Sequence, residues 1–413
     1  MSLPSTAPHT AFGSPARRIC FVGLDNLPVL SREHAHHGTG GEQVQHTLLA
    51  RALVRRGLEV SMVVADYGQP ERWEVDGISL HRAHGLSEGI PVLRFAHPRI
   101  TRLWAALARA DAQTYYVSCA GPQLAVVAAF ARRHGRRVVF RIAHDRDCDP
   151  SQLLVRFWRD RQLYAWGLRR AHVVLAQSAQ QAQALRLHYG VDSRVAGMLV
   201  DPATRQVPGP QRPRDVLWVN NMRPFKRPDL ALEVARRMPG LSFDMVGGPQ
   251  GGHEALFETI RGAARRLPHL RFHGAVPYHQ VNGLYDQARV FLNTSDSEGF
   301  PNSYLQAWRR GTPTVAFFDP DRVIATHGLG NVARSVDEMV EQVQRLTTSD
   351  GDWQAASGRC LRFMDERYAE DTVLGPYVEA LTGTDEPTVQ PALPHPAHPA
   401  HPAHSAHSAQ AAA

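Results

Sequence analysis

The sequence predicts an α/β protein of two doubly wound domains that face each other across a cleft. The chain has 413 residues, more than one hydrophobic core normally supports, so two domains of ordinary size are expected. Short apolar strands alternate with helical segments in two separate series, which is typical of parallel sheets covered by helices on both faces. A proline-rich segment, residues 201–214, separates the two series and is the predicted linker.

The first series predicts a strand–helix–strand unit with glycines at the helix N-terminus. An apolar strand over residues 18–24 is followed by a long loop, and Gly40 and Gly41 precede a helix that Gly57 ends. A second strand follows at residues 59–65. A glycine turn at a helix N-terminus lets backbone N–H groups approach a phosphate closely, so Gly40 and Gly41 are candidate ligand-binding residues. A glycine pair by itself can also serve only to start the helix.

A polar segment follows a later strand, predicted at residues 137–142. His144 lies just after this strand, at the edge of the sheet where doubly wound domains bind ligands. His144 is therefore a candidate catalytic residue, with Asp145 and a purely structural histidine as the alternatives. Asp145, Asp147 and Asp149 alternate as in metal-binding turns. Because they follow a strand end that faces the ligand crevice, we predict a ligand-binding loop here and no metal site.

Positive charge is concentrated in the first half of the chain. Residues 1–200 contain 25 Arg against 15 Asp and Glu, a balance of +10, whereas the whole chain carries +7. This balance favours an anionic partner such as lipid headgroups or a lipid-linked pyrophosphate over nucleic acid. A general preference for arginine on solvated faces explains the same numbers without a partner. Residues 153–170 mix aromatic side chains with arginines and either lie on a membrane interface or pack on their own domain.

The second series contains a basic turn between a strand and a helix. A strand is predicted at residues 216–219, and Pro228 suits the first turn of the next helix. Arg223 and Lys226 lie between them, close to a helix N-terminus, where they could bind an anion. Lys226 is the only lysine among the 46 basic residues, and an ammonium group can reach a phosphate oxygen where a planar guanidinium does not fit. A solvated basic turn is the alternative.

Two further turns in this series follow predicted strands. Gly247 comes after the strand at residues 242–246, in a turn that would lie close to the base of a nucleotide ligand. The strand at residues 288–292 is followed by a polar loop containing Glu298 and by a helix whose first turn accommodates Pro301. This geometry directs unpaired N–H groups toward an anion above the loop, and Glu298 can accept hydroxyl hydrogen bonds beside it. An anion site next to a carboxylate suggests a nucleotide sugar.

The start of this helix allows two interpretations of Gln306. In the first helical turn, its side chain would lean back toward the loop and contact the ligand. Asn302 or Ser303 could instead cap the helix, and Ser303 and Gln306 have the spacing of a capping box, which would make Gln306 structural.

The stretch with Glu298, Gly299, Phe300 and Pro301 resembles the signature of GT4-family glycosyltransferases with the GT-B fold. In that family two acidic residues eight apart bind the sugar and the ribose, and this chain has Gln306 at the second position. The Gly40–Gly41 phrase and the Arg223–Lys226 turn are also similar to the family, and the similarity covers residues 18–382. The candidate donor-binding residues are Gly40, Gly41, Gly247, Gly299, Phe300, Pro301, Asn302, Ser303 and Gln306.

The resemblance implies transfer of a hexosyl group from a nucleotide diphosphate sugar to a glycan or lipid-linked acceptor. It implies retention of configuration without a metal or cofactor, with Arg223, Lys226, Glu298 and His144 as catalytic residues. Polysaccharide or glycolipid synthesis is the expected process. A GT-B enzyme of another kind, such as an epimerase or phosphorylase, and an inactive nucleotide-sugar-binding paralogue are the alternatives.

The predicted boundaries are a flexible segment 1–17, an acceptor domain 18–200, the linker 201–214 and a donor domain 215–362. Residues 363–383 are expected to form a helix that returns to the first domain, and residues 384–413 a disordered tail rich in Pro, Ala and His. The sequence shows no secretory signal and no apolar stretch that could span a membrane. Together with four widely spaced cysteines, this predicts a cytoplasmic protein with reduced thiols. The basic first half of the chain adds the expectation of peripheral contact with an anionic membrane.

Overall fold

The computed structural model describes residues 17–37, 40–85, 88–89, 96–203 and 207–383. Apart from Arg17, the predicted flexible segment 1–17 and the predicted disordered tail 384–413 lie outside the described residues. The described chain forms two α/β domains, each built around a largely parallel sheet, which confirms the predicted fold class.

The first domain contains eight strands and the first six α-helices of the described chain. Its strands are β1 Arg18–Val22, β2 Glu59–Asp66, β3 Arg72–Val75, β4 Ile78–Gly85, β5 Thr114–Ser118, β6 Arg137–Arg141, β7 Val173–Ala176 and β8 Arg194–Val195. Its helices are α1 Leu27–Leu30, α2 Gly41–Arg55, α3 Thr101–Ala110, α4 Gln123–His134, α5 Trp158–Leu168 and α6 Ala179–Tyr189.

The second domain contains six strands and most of the remaining helices. Its strands are β9 Arg214–Val219, β10 Phe243–Val246, β11 Leu270–Gly274, β12 Ala288–Asn293, β13 Thr314–Ala316 and β14 Gly330–Val332. The helices that follow the first domain are α7 Pro228–Arg237, α8 Glu254–Ala264, α9 Tyr278–Gln287, α10 Asn302–Arg309, α11 Val323–His327, α12 Val336–Thr348, α13 Asp350–Arg367 and α14 Glu370–Thr382.

The strand order places a crevice in each sheet. The first sheet has the order β3-β4-β2-β1-β5-β6-β7-β8, with only β3 antiparallel to its neighbour, and the second has β11-β10-β9-β12-β13-β14. The chain direction across the sheet reverses between β1 and β5, and again between β9 and β12. Loops on either side of such a reversal diverge and leave room for a ligand at the carboxyl ends of the strands.

Helices cover both faces of each sheet and bury an apolar core on each side. In the first domain, one core includes Tyr115, Phe130 and Phe140, and the other includes Phe21 and Val139. The helix α14 completes the second of these cores, because Leu374 and Tyr377 pack in it. The last helix of the described residues therefore covers the sheet of the first domain, as predicted from the resemblance.

Within the described residues, the chain crosses between the domains twice, at neighbouring positions. The first crossing leaves the first domain after Leu199, which packs in its core and hydrogen-bonds with Gln45, and the second returns between α13 and α14. A Cβ atom on Gly197 would lie 3.7 Å from the ring of Tyr368 and 3.6 Å from Val373, so the two crossings run side by side. The predicted boundary at residues 362 and 363 falls inside the continuous helix α13, and β9 begins within the predicted linker, at Arg214.

The aromatic side chains of residues 153–170 do not share one environment. Tyr164 is fully buried in the core of the first domain, and Trp166 stacks with Arg170, whose guanidinium carbon lies 4.1 Å from the ring centroid. In contrast, Phe157 is 56% exposed and Trp158 is 75% exposed. Packing on the domain thus accounts for only part of this segment.

The four cysteines are free thiols, and three of them are buried. Among the residues described, no helix combines the length and the apolar character needed to cross a membrane.

Candidate active site

A cavity of about 570 Å³ lies between the two domains, at the carboxyl ends of both sheets. All predicted site residues except Arg223 line it. These residues come from loops after β6, β9, β10 and β12 and from the N-termini of α2 and α10. The two crevices therefore combine into one site that both domains are needed to form.

Lys226 and Glu298 form an ion pair in this cavity. They belong to the loops after β9 and β12, the two strands between which the second sheet reverses direction. The Lys226 Nζ donates to Glu298 Oε2, and the Ser295 hydroxyl donates to Glu298 Oε1 at 2.7 Å. The side chains are only 12% and 9% exposed. A cation and a hydroxyl acceptor are thus fixed side by side in the cavity, and both side chains are largely shielded from solvent.

Arg223 lies at the rim of the site and does not line the cavity. Its side chain is exposed, and its Nη2 is 3.5 Å from the Oε1 of Gln250, which is a lining residue. The neighbouring Arg227 pairs with Asp229 and Asp296 at the surface. The predicted pair of basic residues therefore contributes one side chain to the cavity, Lys226, and one to its edge.

His144 begins a short helical turn after β6 and faces the cavity. Its Nδ1 accepts a hydrogen bond from the Arg146 N–H at 3.1 Å, so in the neutral ring the proton is on Nε2. Burial, opposed in part by Glu298, lowers the pKa of His144 to about 4. The imidazole is therefore neutral near pH 7, and its buried Nε2 has no hydrogen-bond partner among the described residues. It is a donor available to a ligand.

The three alternating aspartates bind different partners. Asp145 accepts from Gln181 at 2.9 Å, Asp147 accepts from the His144 N–H at 3.1 Å, and Asp149 accepts from the hydroxyl of Ser151 at 2.7 Å. Burial raises the pKa of Asp145 to about 6 and that of Asp147 to about 7. In the part of the chain that the structure describes, no three His, Cys, Asp or Glu side chains are grouped as a metal site.

The helix α10 begins without a side-chain cap. Pro301 is its N-cap residue, and neither Asn302 nor Ser303 caps it, so the predicted capping by these residues and the capping box with Gln306 are wrong. The physical reason is that Asn302 instead donates to the Gly41 carbonyl oxygen at 2.6 Å, across the cleft. The uncapped first turn lines the cavity and leaves backbone N–H groups available to a ligand.

Gln306 is 8% exposed and lines the cavity, and its Nε2 donates to Asn282 Oδ1 at 3.0 Å. We expect Gln306→Ala to weaken nucleotide binding by about 1–2 kcal/mol, the value of one hydrogen bond, with little change in melting temperature. Calorimetric titration of nucleotide and a melting curve measure both effects. Gln306→Glu, which restores the family's usual residue, should bind nucleotide as well as the natural chain. A lowered melting temperature with unchanged affinity would assign Gln306 a structural role.

Glycines allow backbone groups to approach closely at two positions of the site. A Cβ on Gly299 would lie 2.4 Å from Gln177 Oε1 and 2.5 Å from the Ala143 carbonyl oxygen, both on the first domain. A Cβ on Gly247 would lie 2.3 Å from the carbonyl oxygen of Asn220. Such distances are far shorter than van der Waals contact, so both positions require glycine in this arrangement.

The loop that carries Glu298 also holds the two domains together. The Glu298 carbonyl oxygen accepts from the Asp145 N–H at 3.2 Å, and the Phe300 N–H donates to Gln177 Oε1 at 2.6 Å. Asp321, elsewhere in the second domain, accepts from the N–H groups of Ala179 and Gln180 at 2.7 and 3.1 Å. Hydrogen bonds of the cavity-lining residues Glu298 and Phe300 thus help to hold the two domains together around the cavity.

Two charged residues that line the cavity, Glu42 and Arg141, are not among the predicted site residues. Glu42 lies in the first turn of α2, and Arg141 is the last residue of β6. The sequence signal that could have identified them is their position, since Glu42 lies where a helix begins at the cleft and Arg141 lies where a strand ends there. Arg141 is 1% exposed, which its sequence neighbours do not reveal.

Comparison with known families supports the same architecture. Residues 40–197 match the family model described as a glycosyl transferase 4-like domain, and residues 213–349 match that of the glycosyl transferases group 1. The D-inositol 3-phosphate glycosyltransferase of Mycolicibacterium smegmatis is 30% identical over 148 residues, 35% of this chain and 34% of that protein. The matched part of the chain thus spans about a third of the length of this curated relative.

Solved structures resemble nearly the whole chain. Sucrose-phosphate synthase from Thermosynechococcus elongatus superposes with a TM-score of 0.72 at 15% identity, covering 89% of this chain and 99% of that one. HepE of Anabaena, solved in complex with UDP and glucose, superposes with a TM-score of 0.68 at 15% identity and the same coverage. At such identities the likeness shows the fold. The two family models, which together span most of the chain, show that it belongs to the GT4 family of group 1 glycosyltransferases, and the solved structures show that it has the GT-B fold.

Proposed function

We propose that the protein transfers a sugar from a nucleotide diphosphate sugar to an acceptor hydroxyl, with retention of configuration and without a metal. The observation that carries the proposal is the Lys226–Glu298 pair in the cavity between the domains. A cation for phosphate and a carboxylate for sugar hydroxyls are the two groups that a nucleotide sugar requires, and both are nearly buried.

The chemical difficulty in such a transfer is the departure of the nucleoside diphosphate. Negative charge grows on the diphosphate as the glycosidic bond stretches, so a fixed cation stabilises the transition state more than the ground state. Lys226 and the uncapped start of α10 are placed to provide this stabilisation. Arg223 would join them from the rim. In this proposal Glu298 orients the hydroxyls of the donor sugar.

His144 would act as a neutral hydrogen-bond donor toward the sugar. Its lowered pKa and its Nε2 proton suit donation to a hydroxyl or to a developing negative charge without introducing a full positive charge. Because the pKa is about 4, protonation of the ring begins only in acid, and activity that depends on neutral His144 would persist down to about pH 5.

The partners proposed for the chain are a nucleotide diphosphate sugar and a glycan or lipid-linked acceptor. The complex of HepE with UDP and glucose supports a donor of this class. We place the acceptor in the first domain and the process in polysaccharide or glycolipid synthesis. Peripheral contact with an anionic membrane from the cytoplasm is part of the proposal, and the exposed Trp158 supports it.

The first test is turnover by the purified protein. A thermal-shift screen of UDP-, GDP- and ADP-sugars identifies a donor, and release of the nucleoside diphosphate is then measured with and without acceptors. Transfer to an acceptor supports the proposal. Isomerisation of the donor sugar would indicate an epimerase. Transfer of the sugar to phosphate would indicate a phosphorylase. Tight binding without turnover would indicate an inactive binding paralogue.

Chelation with EDTA should leave the transfer rate nearly unchanged. In the proposed mechanism Lys226 and the start of α10, which both line the cavity, would supply the positive charge beside the diphosphate that a metal supplies in other enzymes. The rate is measured before and after dialysis against EDTA, with an established metal-dependent glycosyltransferase treated in parallel. A large loss that Mn²⁺ or Mg²⁺ restores would contradict the metal-independent mechanism.

A further inference from the structure

Arg141 is a buried cation that the proposed mechanism does not use. It ends β6, is 1% exposed and lines the cavity between the domains. The guanidinium stays protonated at all relevant pH values. A buried charge is normally compensated, because taking it out of water is costly unless it is paired and hydrogen-bonded.

The compensation of Arg141 is incomplete. The hydroxyl groups of Tyr116 and Tyr377 hydrogen-bond with it, but its Nε and Nη2 have no hydrogen-bond partner among the described residues. The carboxylate that acts on its charge is Glu42, which already accepts hydrogen bonds from Ser118 and Cys119. Two buried donors of a permanent cation are therefore available in the wall of a cavity.

Arg141 and Lys226 belong to separate charge groups within the site. The ionisable groups that act on Arg141 are Tyr116, Tyr377, Glu42 and Cys119, all apart from Tyr377 in the first domain. Lys226 instead pairs with Glu298 on the second domain. A nucleotide diphosphate sugar brings one diphosphate, which Lys226 and the start of α10 would hold. A second buried cation on the opposite wall indicates a second anionic group.

We propose that Arg141 binds an anionic group, a phosphate or a carboxylate, carried by the acceptor. This inference rests on the proposed function, since it assigns the acceptor's chemical class at the same site. The remainder of the acceptor has space beside Glu42. This residue also lines a second cavity of about 810 Å³ in the first domain, which Phe157 and Trp158 border. Glu42 thus lies where an acceptor would pass from one cavity to the other.

The inference is tested by calorimetric titration of small probes in the presence of saturating nucleoside diphosphate. Inorganic phosphate and glucose 6-phosphate represent the phosphate source, glucuronate the carboxylate source, and glucose is the uncharged control. We expect at least one charged probe to bind saturably and glucose not to bind. Arg141→Met should weaken the charged probe at least about tenfold, and Arg141→Lys less, because a single ammonium replaces a two-pronged donor.

Lys226→Met is the matched variant with the opposite expectation. It should weaken the nucleoside diphosphate strongly and leave the charged probe within about twofold, whereas Arg141→Met should leave the nucleotide within about twofold. The inference is overturned if no charged probe binds the natural chain, or if Arg141→Met and Arg141→Lys both leave probe binding unchanged. It is also overturned if these variants weaken the nucleotide instead. Loss of the Lys226 effect alone would count against the proposed function and not against Arg141.

The melting temperature without ligand separates this role from a structural one. Arg141→Met removes an incompletely compensated buried charge but leaves the hydroxyl groups of Tyr116 and Tyr377 without this partner, so the melting temperature should fall only slightly. A fall of many degrees in both Arg141 variants would show that the guanidinium supports the fold, and would overturn the inference.

Discussion

Lys226→Ala is expected to abolish turnover while leaving the fold intact. The side chain lies in a polar turn, but its removal leaves the nearly buried Glu298 carboxylate without its ion-pair partner, so the melting temperature should fall while the protein stays folded. Its loss removes the cation beside the departing diphosphate, and a single group of this kind contributes about 100-fold or more to the rate. The variant is measured by nucleoside diphosphate release at saturating donor. Turnover at the natural rate would contradict the assignment of Lys226 to the leaving group.

Two variants serve as controls for Lys226. Lys226→Arg should recover only part of the rate, because a planar fork places its protons differently from an ammonium group. Arg227→Ala removes a neighbouring cation that pairs at the surface with Asp229 and Asp296 and does not line the cavity. It should keep nearly the full rate. An equal loss in both alanine variants would indicate a general effect of positive charge on donor attraction.

Gly299→Ala is expected to be nearly as severe, for a steric reason. The added methyl group would lie 2.5 Å from the Ala143 carbonyl oxygen, and this backbone atom cannot rotate away as a side chain could. The loop must therefore withdraw from the first domain, which breaks the Phe300 bond to Gln177 and displaces Glu298. A displacement of about 1 Å at a reacting centre can lower the rate by about 100-fold. The measurement is kcat and KM for donor.

The matched control is Gly262→Ala, in the helix α8. A Cβ on Gly262 would meet no atom within 4 Å, so the substitution adds a methyl group without a clash. Its rate should be unchanged, and its stability should rise by up to about 1 kcal/mol, since alanine favours helix more than glycine does. If Gly299→Ala retains the full rate, the close approach of the domains is not needed for the reaction.

The elements that carry the site could be predicted because local signals marked their ends. Glycine, proline and polar turns ended apolar runs at Lys226 and Glu298, and the structure places both side chains in the cleft. Their mutual contact could not be predicted, since it depends on β9 and β12 being neighbours in the sheet. The strand β3 was missed because its alternate residues are exposed, which gives a short segment no apolar run.

The errors at α10 and Arg141 have a common cause. Asn302 has the side chain of a helix cap, but its amide binds Gly41 of the other domain, a competitor that no local pattern contains. Arg141 has the side chain of a surface residue, but it is buried and hydrogen-bonds with Tyr377 of the distant helix α14. In both cases a contact between distant parts of the chain overrides the local preference.

The two neighbouring crossings near Gly197 and Tyr368 restrict how the domains can move. Translation of one domain relative to the other, or rotation about an axis away from the crossings, would stretch at least one crossing. Rotation about an axis that passes through both crossings stretches neither. The cleft should therefore open as a hinge, with displacements that grow with distance from that axis. Since Met198 lines the cavity directly beside Gly197, this end of the site would keep its shape during opening. A single proteolytic cut in the first crossing would loosen the hinge without releasing either domain.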